Sequence, residues 1–254
     1  MTESAGLRAG YFTAAAAVRP TLNALMAKEW QGLENLPKDG FILCANHLSN
    51  LDPLAVGHMV YAQGHLPYFL AKAELFQLPV VGGLLTRMRQ IPVDRARGGN
   101  ESLLAANQVL ADGGAIIIYP ESTLTTDPDL WPMKAKTGAA RLALKTGVPV
   151  IPMAQWGIHE VMPGPAKAPR PWPRRTARIR LGAPVPLEDL RASALTRDVL
   201  DAASERIMSA ITGELEVLRG EPAPEGRWNP RTARREPIAG RHDPGGARPE
   251  RGTP

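Results

Sequence analysis

An α/β fold, with a mixed and mostly parallel sheet covered by helices, is predicted by three features of the sequence. Short apolar segments alternate with helical patterns through the middle of the chain, which is typical of layered α/β proteins. Hydrophobic residues make up 44% of the 254 residues and charged residues 22%, so a sizeable core can form. The single cysteine, Cys44, excludes a disulfide framework and a cysteine-based zinc cluster.

The individual elements follow from local patterns. Strands are predicted where short apolar runs occur, at residues 41–45, 68–71, 90–93, 115–119, 150–155 and 176–181. Helical spacing of apolar residues predicts helices near residues 53–62, 80–88, 100–111, 138–146 and 196–218. Gly220 and Pro222 follow the last of these helices, as is common at helix ends.

Residues 1–31 are predicted to form two short amphipathic helices that lie on a membrane surface, divided at Pro20. Arg8, Arg19 and Lys28 add positive charge to this segment. Packing of the apolar face on the protein's own domain is the open alternative. The apolar residues recur at spacings of three and four: Leu7, Tyr11, Ala14, Val18, Leu22, Leu25, Met26 and Trp30.

The C-terminal segment, residues 219–254, is predicted to be a disordered tail. It contains eight arginines, five acidic residues, seven prolines and six glycines, with almost no large apolar side chains. Such a composition buries too little apolar surface to offset the entropy lost on ordering. Residues 32–218 are therefore predicted to be the folded domain.

The charge distribution argues against a nucleic-acid-binding protein. The net charge is +5, and the tail supplies three of these charges, eight arginines minus five acids. The body of the chain shows no basic stripe, no aromatic stacking platform and no zinc-finger spacing. The sequence also has no run of 18 apolar residues, so no transmembrane helix is predicted.

A first polar cluster follows the strand predicted at residues 41–45 and contains His47 and Asp52. Active sites of open α/β sheets gather at the carboxyl ends of strands. The carboxylate can hold one imidazole nitrogen, which leaves the other nitrogen to act as a general base. On spacing alone, an equally open interpretation is that Asp52 only caps the next helix.

Two further clusters follow other predicted strands. Glu121, Ser122 and Thr123 come after residues 115–119, and a carboxylate with hydroxyls at a strand end can bind a polyol. Lys72 and Arg95 each follow a strand, where a cation can hold a phosphate. A metal site formed by His47, Asp52 and Glu121 is disfavoured because no other metal-binding side chains surround it.

Together, the clusters resemble the 1-acyl-sn-glycerol-3-phosphate acyltransferase family. The first cluster matches the family's His-(four residues)-Asp motif, and residues 72–75 through 91–95 look like its second block. Residues 119–123 resemble its Phe-Pro-Glu-Gly-Thr block, and residues 148–152 its fourth. The resemblance runs from about residue 32 to 187, and the segments at residues 136–138 and 155–157 look most like actinobacterial members.

This resemblance implies transfer of a fatty acyl group from acyl-CoA or acyl carrier protein to a lysophospholipid hydroxyl, with no metal or other cofactor. The catalytic residues would be His47 and Asp52. The substrate-binding residues implied or predicted are Lys72, Arg95, Glu121, Ser122, Thr123 and Lys136. The resemblance also implies a peripheral protein at the cytoplasmic face of the cell membrane. Neither the acyl chain length nor the oligomeric state is predicted.

Two departures from the family pattern bear on the acceptor. Ser122 stands where many members have Gly, and Leu124 stands where they have an Arg that helps to bind the phosphate. We therefore expect Lys72 and Arg95 to carry more of the phosphate binding, with Lys136 or Arg141 as a further cation. Two other functions remain open at this stage: a catalytically impaired lipid-surface binding protein, and a His/Asp hydrolase that cleaves thioesters or lysolipids.

Overall fold

A seven-stranded sheet is the centre of the computed structural model, which describes residues 5–94, 100–164 and 168–238. The spatial order of its strands is β1-β7-β6-β2-β5-β3-β4. The strands from β6 to β4 are parallel, β7 is antiparallel to β6, and β1 is parallel to β7. The strands are β1 Met26–Gln31, β2 Phe41–Ala45, β3 Pro67–Lys72, β4 Ile91–Val93, β5 Ala115–Ile118, β6 Val150–Trp156 and β7 Arg175–Leu181.

Helices cover both faces of this sheet. Along β2, Ile42 and Cys44 face one apolar cluster, while Phe41, Leu43 and Ala45 face another. Strands that are buried on both faces are apolar throughout, which explains the short apolar runs of the sequence. The helices are α1 Ala5–Leu25, α2 Asp52–Ala62, α3 Val81–Arg87, α4 Asn100–Ala111, α5 Gly138–Thr146, α6 Ile158–Val161, α7 Glu188–Arg191 and α8 Arg197–Arg219. The predicted fold class and its six strands are confirmed.

The N-terminal prediction is wrong in two respects. Residues 5–25 form one helix that contains Pro20, and residues 26–31 form the edge strand β1. Pro20 lies in an exposed part of the helix, and so does Ala16, whose carbonyl would otherwise accept the hydrogen bond that a proline cannot donate. Met26 and Trp30, four residues apart, lie on one face of a strand as well as on one face of a helix, an ambiguity that periodicity cannot resolve.

The apolar face of α1 packs on the protein's own domain. Leu7 and Tyr11 join the cluster on one face of the sheet, and Leu22 packs in a cluster with residues of α2 and α6. The Tyr11 hydroxyl donates a hydrogen bond to the Pro67 carbonyl at 2.7 Å. The alternative of intramolecular packing is therefore confirmed, and this face does not remain available for a bilayer.

The disorder predicted from residue 219 onward is wrong for residues 219–238. They include an antiparallel pair of strands, β8 Arg227–Asn229 and β9 Arg234–Glu236. Fixed acceptors, rather than apolar burial, order this segment: Arg227 pairs with Glu205, and Arg235 with Asp127. Residues 239–254 lie outside the described part of the chain, so their disorder stays a prediction.

Candidate active site

His47 and Asp52 meet at the carboxyl end of β2. The loop that leaves β2 carries His47, and Asp52 is the first residue of α2. The imidazole Nδ1 lies 2.9 Å from Asp52 Oδ2. An ionised carboxylate can only accept, so Nδ1 carries a proton, and in the neutral form of the ring Nε2 has the lone pair. The His47 side chain is 16% exposed and that of Asp52 is fully buried. The buried Asp52 carboxylate therefore holds an imidazole that substrate can still reach.

The Asp52 carboxylate does not cap the helix it begins. Its Oδ2 accepts hydrogen bonds from the main-chain amides of Leu48 at 2.7 Å and Ser49 at 2.8 Å, both of which precede it. Leu51 occupies the capping position and makes no side-chain capping bond. The capping interpretation is wrong, and the carboxylate instead fixes the imidazole and the loop that carries it.

Tyr119 sets the plane of the imidazole ring. The two rings are stacked, with centroids 4.1 Å apart and planes 18° apart. Burial and the charge of Asp52 raise the pKa of the Tyr119 hydroxyl well above its usual range, so the ring stays neutral. A ring held between a carboxylate and an aromatic face is preorganised for proton transfer.

Glu121 is buried beside His47 and bonded to main-chain amides rather than open to solvent. Its Oε1 accepts from the His47 amide at 3.2 Å, and its Oε2 accepts from the Met133 amide at 3.0 Å. Burial raises the pKa of Glu121 to about 8, against the opposing effects of these two bonds and of the Arg227 charge. The sequence predicts a contact with the substrate's polyol, whereas the geometry is that of a residue that positions the His47 loop.

Glu121 predicts a pH dependence of stability. A carboxyl whose pKa rises from 4.5 to about 8 on folding binds more protons in the folded state within that window. Its contribution to the free energy of unfolding therefore falls as the pH rises, by at most about 1.4 kcal/mol per pH unit. Urea unfolding should show that the free energy of unfolding falls more between pH 5 and pH 8 in the wild type than in Glu121→Gln. An equal fall in the two proteins would contradict the raised pKa of Glu121.

Amide side chains join the ends of β2 and β6 beneath the site. The main-chain amide of Gln155 donates to Asn46 Oδ1 at 2.9 Å, and Asn46 Nδ2 donates to the main-chain carbonyl of Gln155 at 3.1 Å. Gln155 Nε2 also donates to the Asn46 carbonyl at 2.7 Å. Residue spacing does not predict this pair, although both residues are amides at the carboxyl ends of apolar strands.

The other predicted site residues that the structure describes also lie near the carboxyl ends of the parallel strands. Lys72 is exposed at the carboxyl end of β3, and Thr123 is exposed in the turn after β5. Lys136 is exposed, and its amide donates to the Pro120 carbonyl at 2.9 Å. Ser122 has a φ of 63°, a left-handed conformation that favours glycine. Arg95 lies outside the described residues.

Comparison with known proteins decides the family. A family described as "Acyltransferase" matches residues 28–156, about half of the chain. The chain belongs to the acyltransferase family. The match contains His47, Asp52, Tyr119 and Glu121, the residues that the structure brings together.

Named relatives of this acyltransferase-family chain share its central region. A chloroplastic 1-acyl-sn-glycerol-3-phosphate acyltransferase of Brassica napus is 33% identical over 137 residues, 52% of this chain and 38% of the relative. The 1-acyl-sn-glycerol-3-phosphate acyltransferase of Bacillus subtilis is 33% identical over 128 residues, 49% of this chain and 60% of the relative. The chain thus spans between about a third and two thirds of these relatives.

A solved structure supports the acyltransferase fold. The crystal structure of the 1-acyl-sn-glycerophosphate acyltransferase PlsC from Thermotoga maritima matches with a TM-score of 0.62. The match covers 86% of this chain and 81% of that one at 24% sequence identity. At this identity the likeness establishes a shared fold.

Two alternative chemistries find no support in this acyltransferase-family site. Cys44 is buried within β2, and burial raises the pKa of its thiol, so it is a small core residue and not a nucleophile. Within residues 5–94, 100–164 and 168–238, no three His, Cys, Asp or Glu side chains are grouped so that they could hold a metal ion.

None of the helices in these ranges is long and apolar enough to span a membrane.

Proposed function

We propose that this chain transfers a fatty acyl group from a thioester donor to the free hydroxyl of a lysophospholipid. The acceptor we propose is 1-acyl-sn-glycerol 3-phosphate, which gives phosphatidic acid, and the donor is acyl-CoA or acyl carrier protein. The observation that carries the proposal is the contact of His47 Nδ1 with the buried Asp52 carboxylate at the sheet edge. The names of the Brassica napus and Bacillus subtilis relatives support the acceptor.

The proposed reaction is a direct attack of the acceptor hydroxyl on the thioester carbonyl. His47 Nε2 takes the hydroxyl proton as the oxygen forms its bond to the carbonyl carbon. Asp52 stabilises the imidazolium that forms, and main-chain amides at the strand ends stabilise the oxyanion. The C–S bond then breaks, and the imidazolium returns the proton to the thiolate. The thioester is already activated, so no acyl-enzyme is required.

We propose that cations at the sheet edge hold the acceptor phosphate and that the turn after β5 holds its glycerol. Lys72 and Lys136 supply cations there, and a contribution from Arg95, which lies outside the described residues, stays a prediction from the sequence. The exposed turn with Ser122 and Thr123 faces the same edge. The conformation of Ser122 keeps this turn tight although a side chain replaces the usual glycine. A likeness to actinobacterial members stays a prediction.

A panel of acceptors tests the proposal. The purified protein is incubated with labelled acyl-CoA or acyl carrier protein and with lysolipids that carry phosphate, phosphocholine or no headgroup. We expect diacyl product with the phosphate-bearing acceptor. Free fatty acid in place of diacyl product would support the hydrolase instead, and no turnover with either donor would support the lipid-binding protein.

Lys72 provides a test of phosphate recognition. Charge-assisted contacts to phosphate are strong, so Lys72→Ala should raise KM for the phosphorylated acceptor several-fold more than KM for acyl-CoA. The matched control is Lys145→Gln, which removes an exposed cation at the end of α5. Steady-state kinetics with each substrate varied in turn give the two constants. Equal changes in both KM values would contradict a phosphate contact.

We propose that the protein sits on the bilayer through an exposed apolar segment, residues 75–84, called here the apolar tip. It begins three residues after Lys72, at the sheet edge that carries His47. Arg87 and Arg89 follow it as exposed cations that suit anionic headgroups. A position at the cytoplasmic face of the cell membrane stays a prediction. The exposed apolar side chains of the tip are Leu75, Leu78, Val80, Val81 and Leu84.

The most prominent residue of the apolar tip is Val80. Its side chain is 87% exposed, and its φ of 65° is unusual for a β-branched residue. The Val81 amide donates to the Pro79 carbonyl at 2.7 Å, which closes a tight turn around it. Strained conformations of this kind persist mainly where function requires them. Since the apolar face of α1 is buried, we assign membrane contact to the tip rather than to residues 1–31.

Polar substitution of the apolar tip tests this assignment. Full burial of one Val or Leu side chain is worth about 1.5–3 kcal/mol, so a Leu78→Asn, Val80→Asn double variant should bind anionic vesicles at least about tenfold more weakly. Both sites are exposed, so the fold should persist. Val217→Asn on α8, where the valine is 59% exposed, is the matched control. Unchanged co-sedimentation of the double variant would contradict the assignment.

A further inference from the structure

A cleft with basic side chains lies near α2, between the C-terminal part of α1 and strand β1. It has a volume of about 520 Å³ and is called here the basic cleft. Its polar lining residues are all basic or aromatic. The lining consists of Arg19, Lys28, Trp30, Leu33, His58 and Ala62.

Contacts with His58 and Trp30 fix the ammonium group of Lys28 in the basic cleft. Lys28 Nζ lies 2.9 Å from His58 Nε2 and 5.5 Å from the centre of the Trp30 ring. An ammonium can only donate, so His58 accepts through Nε2 and is neutral. Burial first, and then the charges of Lys28 and Arg19, lower the pKa of His58 to about 4. The site is thus a built arrangement of one neutral and two charged groups.

Neither Arg19 nor Lys28 is paired with a carboxylate in the part of the chain that the structure describes. Among the ion pairs of the described residues, none involves Arg19 or Lys28, although Arg180, Arg206 and Arg227 each contact a carboxylate. Burial and the nearby Arg19 charge lower the pKa of Lys28, which shows that its charge is destabilised in this position. An anion bound in the cleft beside Lys28 would offset this cost.

We propose that the basic cleft binds a phosphate-bearing anion. Arg19 supplies a planar guanidinium that matches phosphate oxygens, and Lys28 supplies a point charge fixed by His58. The Trp30 ring shields the anion from water on one side. The phosphate can come from free phosphate in solution or from the headgroup of an anionic lipid.

The basic cleft is distinct from the proposed acceptor site. His58 follows Asp52 by six residues on α2, which places it about 9 Å farther along the helix axis. Strand β1 forms one edge of the sheet, whereas β3, which carries Lys72, lies next to the opposite edge. The proposal therefore does not depend on the proposed acyl transfer, and either can fail while the other holds.

The first experiment uses inorganic phosphate and follows the His58 imidazole signals by NMR. In the wild type, we expect a saturable phosphate-dependent change of the His58 signals and a higher pKa for this group at saturation. Lys28→Gln and Arg19→Gln should each weaken phosphate binding at least tenfold by this readout. Lys145→Gln, which lies outside the cleft, should respond as the wild type does. Lys72→Ala should also leave the His58 response intact, which separates the two phosphate sites.

The second experiment distinguishes the source of the phosphate. Lipid nanodiscs with phosphatidylglycerol are compared with nanodiscs of phosphatidylcholine alone, with the His58 signals again as the readout. A response to phosphatidylglycerol that Lys28→Gln and Arg19→Gln abolish, with none to inorganic phosphate, assigns the cleft to lipid headgroups. The proposal is overturned if neither probe changes the His58 signals, or if folded Lys28→Gln and Arg19→Gln proteins respond like the wild type.

Discussion

Replacing His47 with alanine is expected to lower kcat for acyl transfer by about 10²–10⁴-fold, the usual effect of losing a general base. Contacts with Asp52 and with the Tyr119 ring hold the imidazole in place as the base, and alanine retains neither the ring nor its basic nitrogen. Because the side chain is partly exposed at the end of a loop, the fold should persist. Steady-state assays at saturating donor and acceptor measure the loss.

The control for this variant is His65→Gln, which changes a histidine that packs against Phe41, away from the candidate site. Its kcat should stay within a few-fold of the wild type. Thermal unfolding of both variants shows whether the fold is kept. A folded His47→Ala protein with the wild-type rate would remove the general base from the mechanism.

Asp52→Asn should impair turnover nearly as strongly, by up to about 10⁴-fold, as loss of an equivalent aspartate does in a Ser-His-Asp site. Asp52 Oδ2 accepts from His47 Nδ1 and from two main-chain amides. An amide in this position cannot stabilise the imidazolium. When it turns its NH₂ group toward His47, it favours the tautomer with the proton on Nε2, which cannot act as the base.

The matched control for Asp52→Asn is Asp112→Asn, at an exposed aspartate after α4. NMR of the imidazole nitrogens reports the tautomer of His47 in each protein. We expect a changed His47 tautomer or a more acidic imidazolium in Asp52→Asn alone. Retention of both the wild-type kcat and the wild-type tautomer would show that Asp52 does not orient the imidazole.

Most of the fold was predictable because its strands are buried on both faces. Such strands are continuous apolar runs, as at β2 and β5, and turn residues separate them from the helices. Strand β1 was not predictable in this way because it is an edge strand with a half-buried pattern. Its spacing also continues that of α1, and only pairing with β7 decides between helix and strand.

The candidate site was predictable in part. His47 and Asp52 are five residues apart, so their contact depends on local chain geometry that spacing can indicate. Tyr119 and the Asn46–Gln155 pair are brought to the site by strand neighbours far apart in sequence. Residue spacing carries no information about such contacts, and only the order of the strands in the sheet reveals them.

The folded part of the tail shows a limit of compositional arguments. Its arginines and prolines are typical of disorder, yet Arg227 is buried against Glu205 and its charge acts on Glu121. Trp228 donates to Thr126 Oγ1 at 3.1 Å and so attaches the segment to the loop after β5. A lone tryptophan in a polar segment was the signal of order that the average composition obscured.

Direct attack of the acceptor hydroxyl on the thioester, with His47 as the base, is tested by CoA release from acyl-CoA. The wild type is assayed with and without 1-acyl-sn-glycerol 3-phosphate. Direct attack predicts that CoA is released only when the acceptor is present, in equal amount to the phosphatidic acid formed, with no acylated protein by mass spectrometry. CoA release at the same rate without the acceptor, with free fatty acid or an acylated protein as the product, would contradict it.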